Sequence, residues 1–92
     1  MNDEALITQY IELNPHRPGL DEARLKSYGV AVWALIGYLP AVGNDVSQVA
    51  HDYDVPVEAV EAAIAYYRRH RPLIDARIAA NSAEFDDLLH PA

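Results

Sequence analysis

The sequence predicts a mainly α-helical fold: a small tri-helical helix–turn–helix core, preceded by a short N-terminal β-hairpin and followed by a C-terminal helical tail. Apolar residues recur every three or four positions from residue 32 to residue 67, which is the period of an amphipathic helix. Residues typical of caps and turns interrupt that pattern at intervals that suit separate helices. With 92 residues, an apolar fraction of 51% and no cysteine, the chain is expected to be a single domain, residues 1–92, with one core.

The N-terminal segment, residues 1–29, is predicted to form two strands and a loop. Apolar and polar residues alternate over Tyr10–Leu13, which favours a short strand, and a second strand is predicted over Arg24–Tyr28. Two prolines and a glycine lie between them, in residues 14–19, and indicate a turn. The two strands can form a hairpin, or each can pair with a strand of a partner chain.

The core, residues 30–71, is predicted to contain three helices. The first ends near Pro40, with Gly43 as its C-terminal cap. Asp45 and the glutamine three residues after it form a capping-box pattern at the start of the second helix. Pro56 suits the first position of the third. The inward stripes are Val32, Leu35, Ile36, Leu39 and Val42 in the first helix, Val46, Val49, Ala50 and Tyr53 in the second, and Val57, Val60, Ala63, Ile64 and Tyr67 in the third.

In the C-terminal tail, residues 72–92, a helix is predicted to restart at Pro72. One face of this helix would carry Leu73, Ile74, Ile78 and Phe85. Asn81 with Glu84 predicts the cap of a final short helix. From residue 81 to residue 92 the chain has three carboxylates and no Lys or Arg. The end of the tail is either a frayed terminus or an acidic amphipathic segment that orders on a basic partner. We favour the second interpretation, a segment that orders on a basic partner, because leaving large apolar residues exposed to water costs free energy. The candidate partner-binding residues are Phe85, Asp86, Asp87, Leu88 and Leu89.

Residues 46–65 have the spacing of a helix–turn–helix. Ala50 provides a small residue where the two helices of the motif touch. Asp54 falls at the turn position that requires a positive φ, which aspartate tolerates better than most residues. The outward face of the second helix of the motif is predicted to carry Glu58, Glu61, Ala62 and Ala65.

DNA binding is expected to be weak. Seven basic and 14 acidic residues give a net charge of −7, so the chain has no general attraction for nucleic acid. A helix that reads the major groove usually offers Arg, Lys, Asn or Gln near its N-terminal end, whereas Glu58 and Glu61 are acidic. The basic residues available for phosphate contacts are Arg68, Arg69 and Arg71, which also suit the C-terminal end of a helix dipole.

Neither catalysis nor a cofactor is expected. The serines belong to no nucleophile motif, and the four glycines form no phosphate-binding loop. The four histidines have no repeated ligand spacing, and His51 with Asp54 would supply only two metal ligands, so no metal site is predicted. The acidic start, Met1–Glu4, and the lack of a long apolar run predict a cytoplasmic protein with no membrane segment.

Several segments resemble domain-of-unknown-function family four-thirty-three. They are Val32–Ile36 (VWALI), Gly43–Val46 (GNDV), Val49–Tyr53 (VAHDY), Val55-Pro56, and Ala59–Tyr67 (AVEAAIAYY) followed by His70. The resemblance covers about residues 10–80. The family often has Gly-Thr-Arg-Ile a residue or so before a Pro-Val or Thr-Val pair. At that place this chain has Glu22-Ala23-Arg24-Leu25 and keeps only the arginine and an aliphatic residue.

This resemblance implies a small antitoxin of the VapB type, a class commonly paired with toxins that have a PIN-like nuclease fold. It also implies that the segment after Pro72 binds the toxin. The positions that the resemblance assigns to the helix–turn–helix framework are Ala50, Asp54, Val60 and Ile64.

The functional prediction is therefore an antitoxin-like protein that neutralises a PIN-like nuclease through its C-terminal tail and binds an operator weakly. Two alternatives remain open at this point: a transcriptional regulator that binds DNA through its arginine cluster, and a purely structural dimer module. A homodimer is expected in each case, because the core is small and aromatic residues are numerous.

Overall fold

The computed structural model describes the backbone of residues 2–89 and the side chains of residues 2–83. Over that range the fold is mainly helical with one small antiparallel sheet, as the sequence predicts. The elements are α1 (Asp3–Tyr10), β1 (Ile11–Glu12), a 3₁₀ turn (Leu20–Glu22), β2 (Arg24–Leu25), α2 (Val32–Tyr38), a second 3₁₀ turn (Leu39–Val42), α3 (Val46–Tyr53), α4 (Val57–Arg69) and α5 (Arg71–Leu89).

The N-terminal hairpin is present, but its strands are shorter than predicted. Ile11 pairs with Leu25 and Glu12 with Arg24, and the Arg24 Nε donates a hydrogen bond to Glu12 Oε2 at 2.8 Å. The strand β2 stops at Leu25 because the chain turns immediately after it, with Ser27 at a φ of 68°. Such positive φ values are incompatible with an extended strand.

The helix α1 is the element that sequence reasoning missed, because residues 1–29 were predicted to hold only strands and a loop. Asn2 caps it: its Oδ1 accepts a hydrogen bond from the backbone N–H of Ala5 at 2.8 Å. Asp3 and Glu4 lie in the first turn, where negative charge favours the helix dipole. Leu6 is buried against the core, so tertiary packing stabilises a helix too short to persist alone.

The predicted connection between α2 and α3 is confirmed. The helix α2 ends at Tyr38 and gives way to a 3₁₀ turn that contains Pro40, and Gly43 ends that turn in the left-handed conformation at a φ of 64°. Asp45 then caps α3 by accepting a hydrogen bond from the backbone N–H of Gln48 at 3.2 Å. The Gln48 side chain donates to Asp52 Oδ1 instead of returning to the cap, so only the first half of the capping box forms.

A tight turn joins α3 to α4. Asp54 adopts the left-handed conformation, with φ 55° and ψ 50°, and the backbone N–H of Val55 donates to the carbonyl of Ala50 at 3.0 Å. Val49 and Val60 are fully buried where the two helices meet, and Ala50 lies beside them. Pro56 precedes the first helical residue of α4 and acts as its N-cap residue.

The central helix of the fold is α4, and the prediction of which of its residues face the solvent is partly wrong. Ala62 and Ala65 were expected to point outward, yet both are almost completely buried, and Val57, expected to point inward, is 41% exposed. The reason is α1, which packs along this side of α4. Alanine has so small a side chain that the two helices can approach closely, so a face that looks weakly apolar in sequence becomes core.

The final helix, α5, is continuous from Arg71 to Leu89, so the separate short helix predicted to be capped by Asn81 is wrong. Its first turns belong to the core, since Ile74 is fully buried. Arg77 Nε donates to Glu22 Oε1 at 2.7 Å, and the guanidinium lies 4.3 Å from the centroid of the Trp33 ring. These contacts attach α5 to α2 and to the first 3₁₀ turn.

A pair of alanine substitutions tests whether the first turns of α5 are core. Ile74→Ala should lower the free energy of unfolding by about 2–5 kcal/mol, because it removes a fully buried side chain. Leu73→Ala removes an adjacent apolar residue that is 44% exposed, and should cost less than about 0.5 kcal/mol. Urea denaturation measures both; equal losses would contradict this placement of the helix.

A second prediction concerns the hydrogen bond from the Tyr38 hydroxyl to Asp52 Oδ2, at 2.5 Å, which joins α2 to α3. This bond raises the pKa of Tyr38 above 10.0 and is the main reason why the pKa of Asp52 is lowered below 3.8. The stability linked to Asp52 is therefore present above pH 3.8 and is lost as the pH falls through the lower folded-state pKa. The stability linked to Tyr38 is present below pH 10.0 and is lost as the pH rises through the higher folded-state pKa.

Tyr38→Phe should therefore lower the melting temperature between these two pH limits, and the difference from the wild type should narrow on both sides. Thermal denaturation across the pH range measures it. Tyr28→Phe removes the hydroxyl of an exposed tyrosine and is the matched control. If the difference in melting temperature between Tyr38→Phe and the wild type did not vary with pH, the hydrogen bond to Asp52 would not be the cause of the destabilisation.

Candidate partner-binding surfaces

The helix α1 packs against the predicted outward face of α4, which a DNA-binding helix–turn–helix would insert into the major groove. Ala62 and Ala65 are buried on that face, whereas Glu58 and Glu61 stay exposed. The Tyr10 hydroxyl at the end of α1 donates a hydrogen bond to Glu58 Oε2 at 2.9 Å, and this bond is the main cause of the raised pKa of Tyr10. At the other end of α1, Asp3 Oδ2 lies 3.7 Å from Arg68 Nη1. These contacts hold α1 along the face, so α4 cannot enter a groove in this arrangement.

The arginine cluster at the junction of α4 and α5 is not one continuous basic surface. Arg68 is paired with Asp3, and the guanidinium of Arg71 lies 5.5 Å from the centroid of the Tyr67 ring. Arg68 and Arg71 line a common groove, and Arg69, which is exposed, is not among the residues that line it. The three arginines predicted to contact DNA are therefore divided between two surfaces.

We call that common groove the Ile64 groove. It has a volume of about 390 Å³, and Ile64 is half-buried in it. Apolar residues make up most of the lining and the two arginines supply its positive charge. The lining residues are Ile36, Leu39, Pro40, Asn44, Val46, Ile64, Tyr67, Arg68 and Arg71. Sequence reasoning placed Ile64 in the helix–turn–helix framework and Arg68 with Arg71 in a DNA-contacting cluster, and it did not predict that these residues line one groove.

A second depression of about 350 Å³ continues the Ile64 groove toward α1. It shares Val46, Ile64 and Arg68 with the groove, and its lining adds two carboxylates, those of Asp3 and Glu61. The charge of the combined surface therefore changes along its length, from Arg71 at the start of α5 to the carboxylates of Asp3 and Glu61. Arg68, which is paired with Asp3, lines both parts. An acidic ligand is expected to prefer the end near Arg71.

An aromatic depression of about 380 Å³ lies on another side of the protein, between α2 and α5. Trp33, Tyr38 and Tyr53 line it, and the two tyrosine rings meet edge to face with centroids 5.4 Å apart. Ile78 also lines this depression, and Asn81 and Ser82 mark its distal end along α5. The surface is thus a continuation of the core contact that α5 makes with α2.

Tyrosine hydroxyls connect the helices at the protein surface. Tyr67 donates to Asp75 Oδ1 at 2.8 Å, and this bond raises the pKa of Tyr67. Tyr66 is different: its hydroxyl donates to the Leu20 carbonyl at 2.6 Å, and burial is the main cause of its raised pKa. These hydroxyl groups are already paired and therefore stabilise the fold.

The predicted partner-binding residues of the tail, Phe85 to Leu89, lie in the last turns of α5, and their side chains are outside the described residues. The described part of the helix before them ends in three exposed residues, Asn81, Ser82 and Ala83. By helical spacing, residues 85 and 89 continue the register of Ile74 and Ile78. The apolar pattern that packs on the core at the start of α5 is therefore repeated at its end.

Within the described residues, no three His, Asp or Glu side chains are close enough together to hold a metal ion. His51 Nδ1 lies 3.4 Å from Asp52 Oδ1, and Asp54 forms the turn between α3 and α4. No described helix combines the length and apolar character that crossing a bilayer requires.

A DNA-binding measurement tests whether α1 blocks α4. The chain should bind no duplex more tightly than about micromolar at physiological salt, which is the range of non-specific binding. Selection from random duplexes, followed by fluorescence anisotropy, measures this. Arg69→Gln and Arg71→Gln should reduce residual binding to all sequences equally, since phosphate contacts carry no sequence information. Recovery of a nanomolar site would contradict the occlusion of α4.

No family model, curated protein or solved structure matches this chain. The resemblance to domain-of-unknown-function family four-thirty-three therefore stays a prediction that rests on the residues quoted for it. Three features of the protein bear on function: the packing of α1 on α4, an apolar groove with two arginines, and an acidic C-terminal segment.

Proposed function

We propose that this chain is an antitoxin-like protein that acts in the cytoplasm by binding and neutralising a PIN-like nuclease through the distal part of α5. The observation that carries the proposal is the division of α5 into two parts. Its first turns are held in the core through Ile74 and Arg77. From Asn81 the described residues are exposed, and the sequence that follows is acidic and apolar.

The first part of α5 gives the binding segment a fixed starting point. Arg77 and Glu22 form an ion pair whose side chains are only 16% and 14% exposed, and the Trp33 ring lies beneath the guanidinium. Groups so well shielded from water interact more strongly than a surface ion pair does. A helix that is already formed and anchored loses less conformational entropy on binding than a disordered tail would.

The distal part of α5 has the chemistry to bind a partner protein at the surface where that partner binds nucleic acid. Phe85, Leu88 and Leu89 are spaced to share one side of a helix, as in peptides that insert an amphipathic helix into a groove. Asp86 and Asp87 supply negative charge beside them. A nuclease must attract phosphates with cationic or metal-bearing residues, and carboxylates can occupy the same positions. Neutralisation would then be steric and electrostatic, without a covalent step.

The covered face of α4 is the reason to prefer a protein partner to DNA. A stand-alone regulator would need α1 to leave α4, which would expose Leu6 and break the bond between Tyr10 and Glu58. The acidic residues on α4 would still face phosphates after that change. The helix–turn–helix accordingly serves as the scaffold that carries α5.

The partner assay uses the product of the neighbouring gene in a pull-down and a growth-rescue experiment. Phe85→Ala should weaken binding by about 2 kcal/mol or more if Phe85 is an apolar anchor. Asp86→Asn with Asp87→Asn should mainly slow association and reduce its dependence on salt, because these charges steer the encounter. Deletion of residues 82–92 should abolish rescue.

Leu13→Ala is the matched control, because Leu13 is an apolar residue that is 60% exposed in the loop after β1. It should bind and rescue like the wild type. Full rescue by Phe85→Ala and by the deletion would mean that the tail is not the neutralising element. Loss of the folded state on deletion would instead show that the distal part of α5 belongs to the core.

A further inference from the structure

The Ile64 groove has the chemistry of a site for an acidic, apolar chain segment. Its floor consists of aliphatic side chains, among them Ile36 and Val46, and its edge near α5 carries the guanidinium groups of Arg68 and Arg71. The chain as a whole has a net charge of −7, so two arginines beside an apolar surface are an exception to its general charge. A ligand that fills the groove needs apolar groups for the floor and carboxylates for the edge.

The chain itself contains a segment with that composition, residues 84–89. Its sequence is Glu-Phe-Asp-Asp-Leu-Leu, which combines three carboxylates with three large apolar residues and no base. The carboxylates of this segment are therefore complementary in charge to the two arginines at the edge of the groove. The end of the groove near α1 carries Asp3 and Glu61, so an acidic segment is restricted to the end near Arg71.

The groove cannot be filled by the same chain while α5 is helical. The helix begins at Arg71, which lines the groove, and continues to Leu89. At a rise of about 1.5 Å per residue, the backbone at residue 85 is about 21 Å along the axis from residue 71. An occupant with this sequence must therefore come from a second copy of the chain.

We infer that the Ile64 groove binds residues 84–89 of a second copy, and that the two copies exchange these segments symmetrically. Each copy offers one groove and one segment, so a two-fold axis satisfies both sites with the same contacts, and the assembly closes as a dimer. In that dimer Phe85 and Leu89 are removed from water until another partner competes for them. This inference does not require the proposed nuclease partner.

The experiment exchanges charges between groove and segment and measures the dimer dissociation constant of the full chain by sedimentation equilibrium. The groove variant is Arg68→Glu with Arg71→Glu, and the segment variant is Asp86→Lys with Asp87→Lys. Each variant alone brings like charges together and should weaken its dimer at least about tenfold. In an equimolar mixture of the two variants, a heterodimer joins the wild-type groove to the wild-type segment and the reversed groove to the reversed segment. Both contacts then pair opposite charges, so dimers should reappear.

Arg69→Glu is the control for a single charge reversal: it makes the change that each substitution of the groove variant makes, one residue from Arg68 but outside the groove lining. Its dimer should be weakened far less than that of the groove variant. Circular dichroism verifies that Arg68→Glu, which also loses its contact with Asp3, stays folded. The segment variant changes residues beyond the described core contacts of α5, so it tests the inference even if the groove variant does not fold.

Three results would overturn the inference: a wild-type chain that stays monomeric at micromolar concentration, a segment variant that dimerises as tightly as the wild type, or folded variants whose mixture forms no dimer. None of these involves the nuclease. Failure of the exchanged dimer and failure of the proposed function are therefore distinguishable, because the second is decided only by capture and rescue with the neighbouring gene product.

Discussion

The structure depends on how closely other elements can approach α4. Alanines occupy four positions of this helix, and all four, Ala59, Ala62, Ala63 and Ala65, are at most 1% exposed. Helices α1, α2, α3 and α5 all contact it. Small side chains allow backbones to pack closely, so one helix buries surface from several neighbours at once. This arrangement compensates for the limited core that a chain of 92 residues can build.

A second group of contacts joins the two ends of the chain. Glu22, in the 3₁₀ turn before β2, pairs with Arg77 of α5, and the Arg77 guanidinium covers the Trp33 ring of α2. The carboxylate of Glu22 also lies 3.8 Å from Arg17, which is largely exposed. Of the two ion pairs that Glu22 forms, the one with Arg77 is shorter and better shielded from water than the one with Arg17. The ion pair with Arg77 therefore fixes the direction in which α5 leaves the core.

These two features separate the surfaces that remain for binding. Because α1 packs on the predicted outward face of α4, Arg68 and Arg69 do not extend a DNA-reading surface, and Arg68 with Arg71 of α5 borders the Ile64 groove. Because the first turns of α5 are anchored, its acidic end leaves the core as part of a helix. A basic, apolar groove and an acidic, apolar segment thus occur in one chain, and the helical geometry keeps them apart within a single copy.

The sequence by itself determined the helical class, the hairpin and the connections between helices. Caps and turns such as Gly43, Asp45 and Asp54 act through their own backbone conformation or through residues three positions away, so local spacing is enough to place them. The helix α1 was not found, because its residues show no clear helical period in the sequence and its stability comes from burial of Leu6 in the contact with α4.

Tertiary structure alone decided which faces of the helices are buried and which residues meet in a groove. Ala62 and Ala65 have no strong preference for core or solvent, so their burial depends on the helix that packs over them. Ile64, Arg68 and Arg71 were each visible in the sequence, but their common groove also needs Ile36 and Leu39 from an earlier part of the chain. Contacts between residues so far apart in sequence leave no periodic pattern, because the distance between them is set by packing and not by the repeat of a single helix.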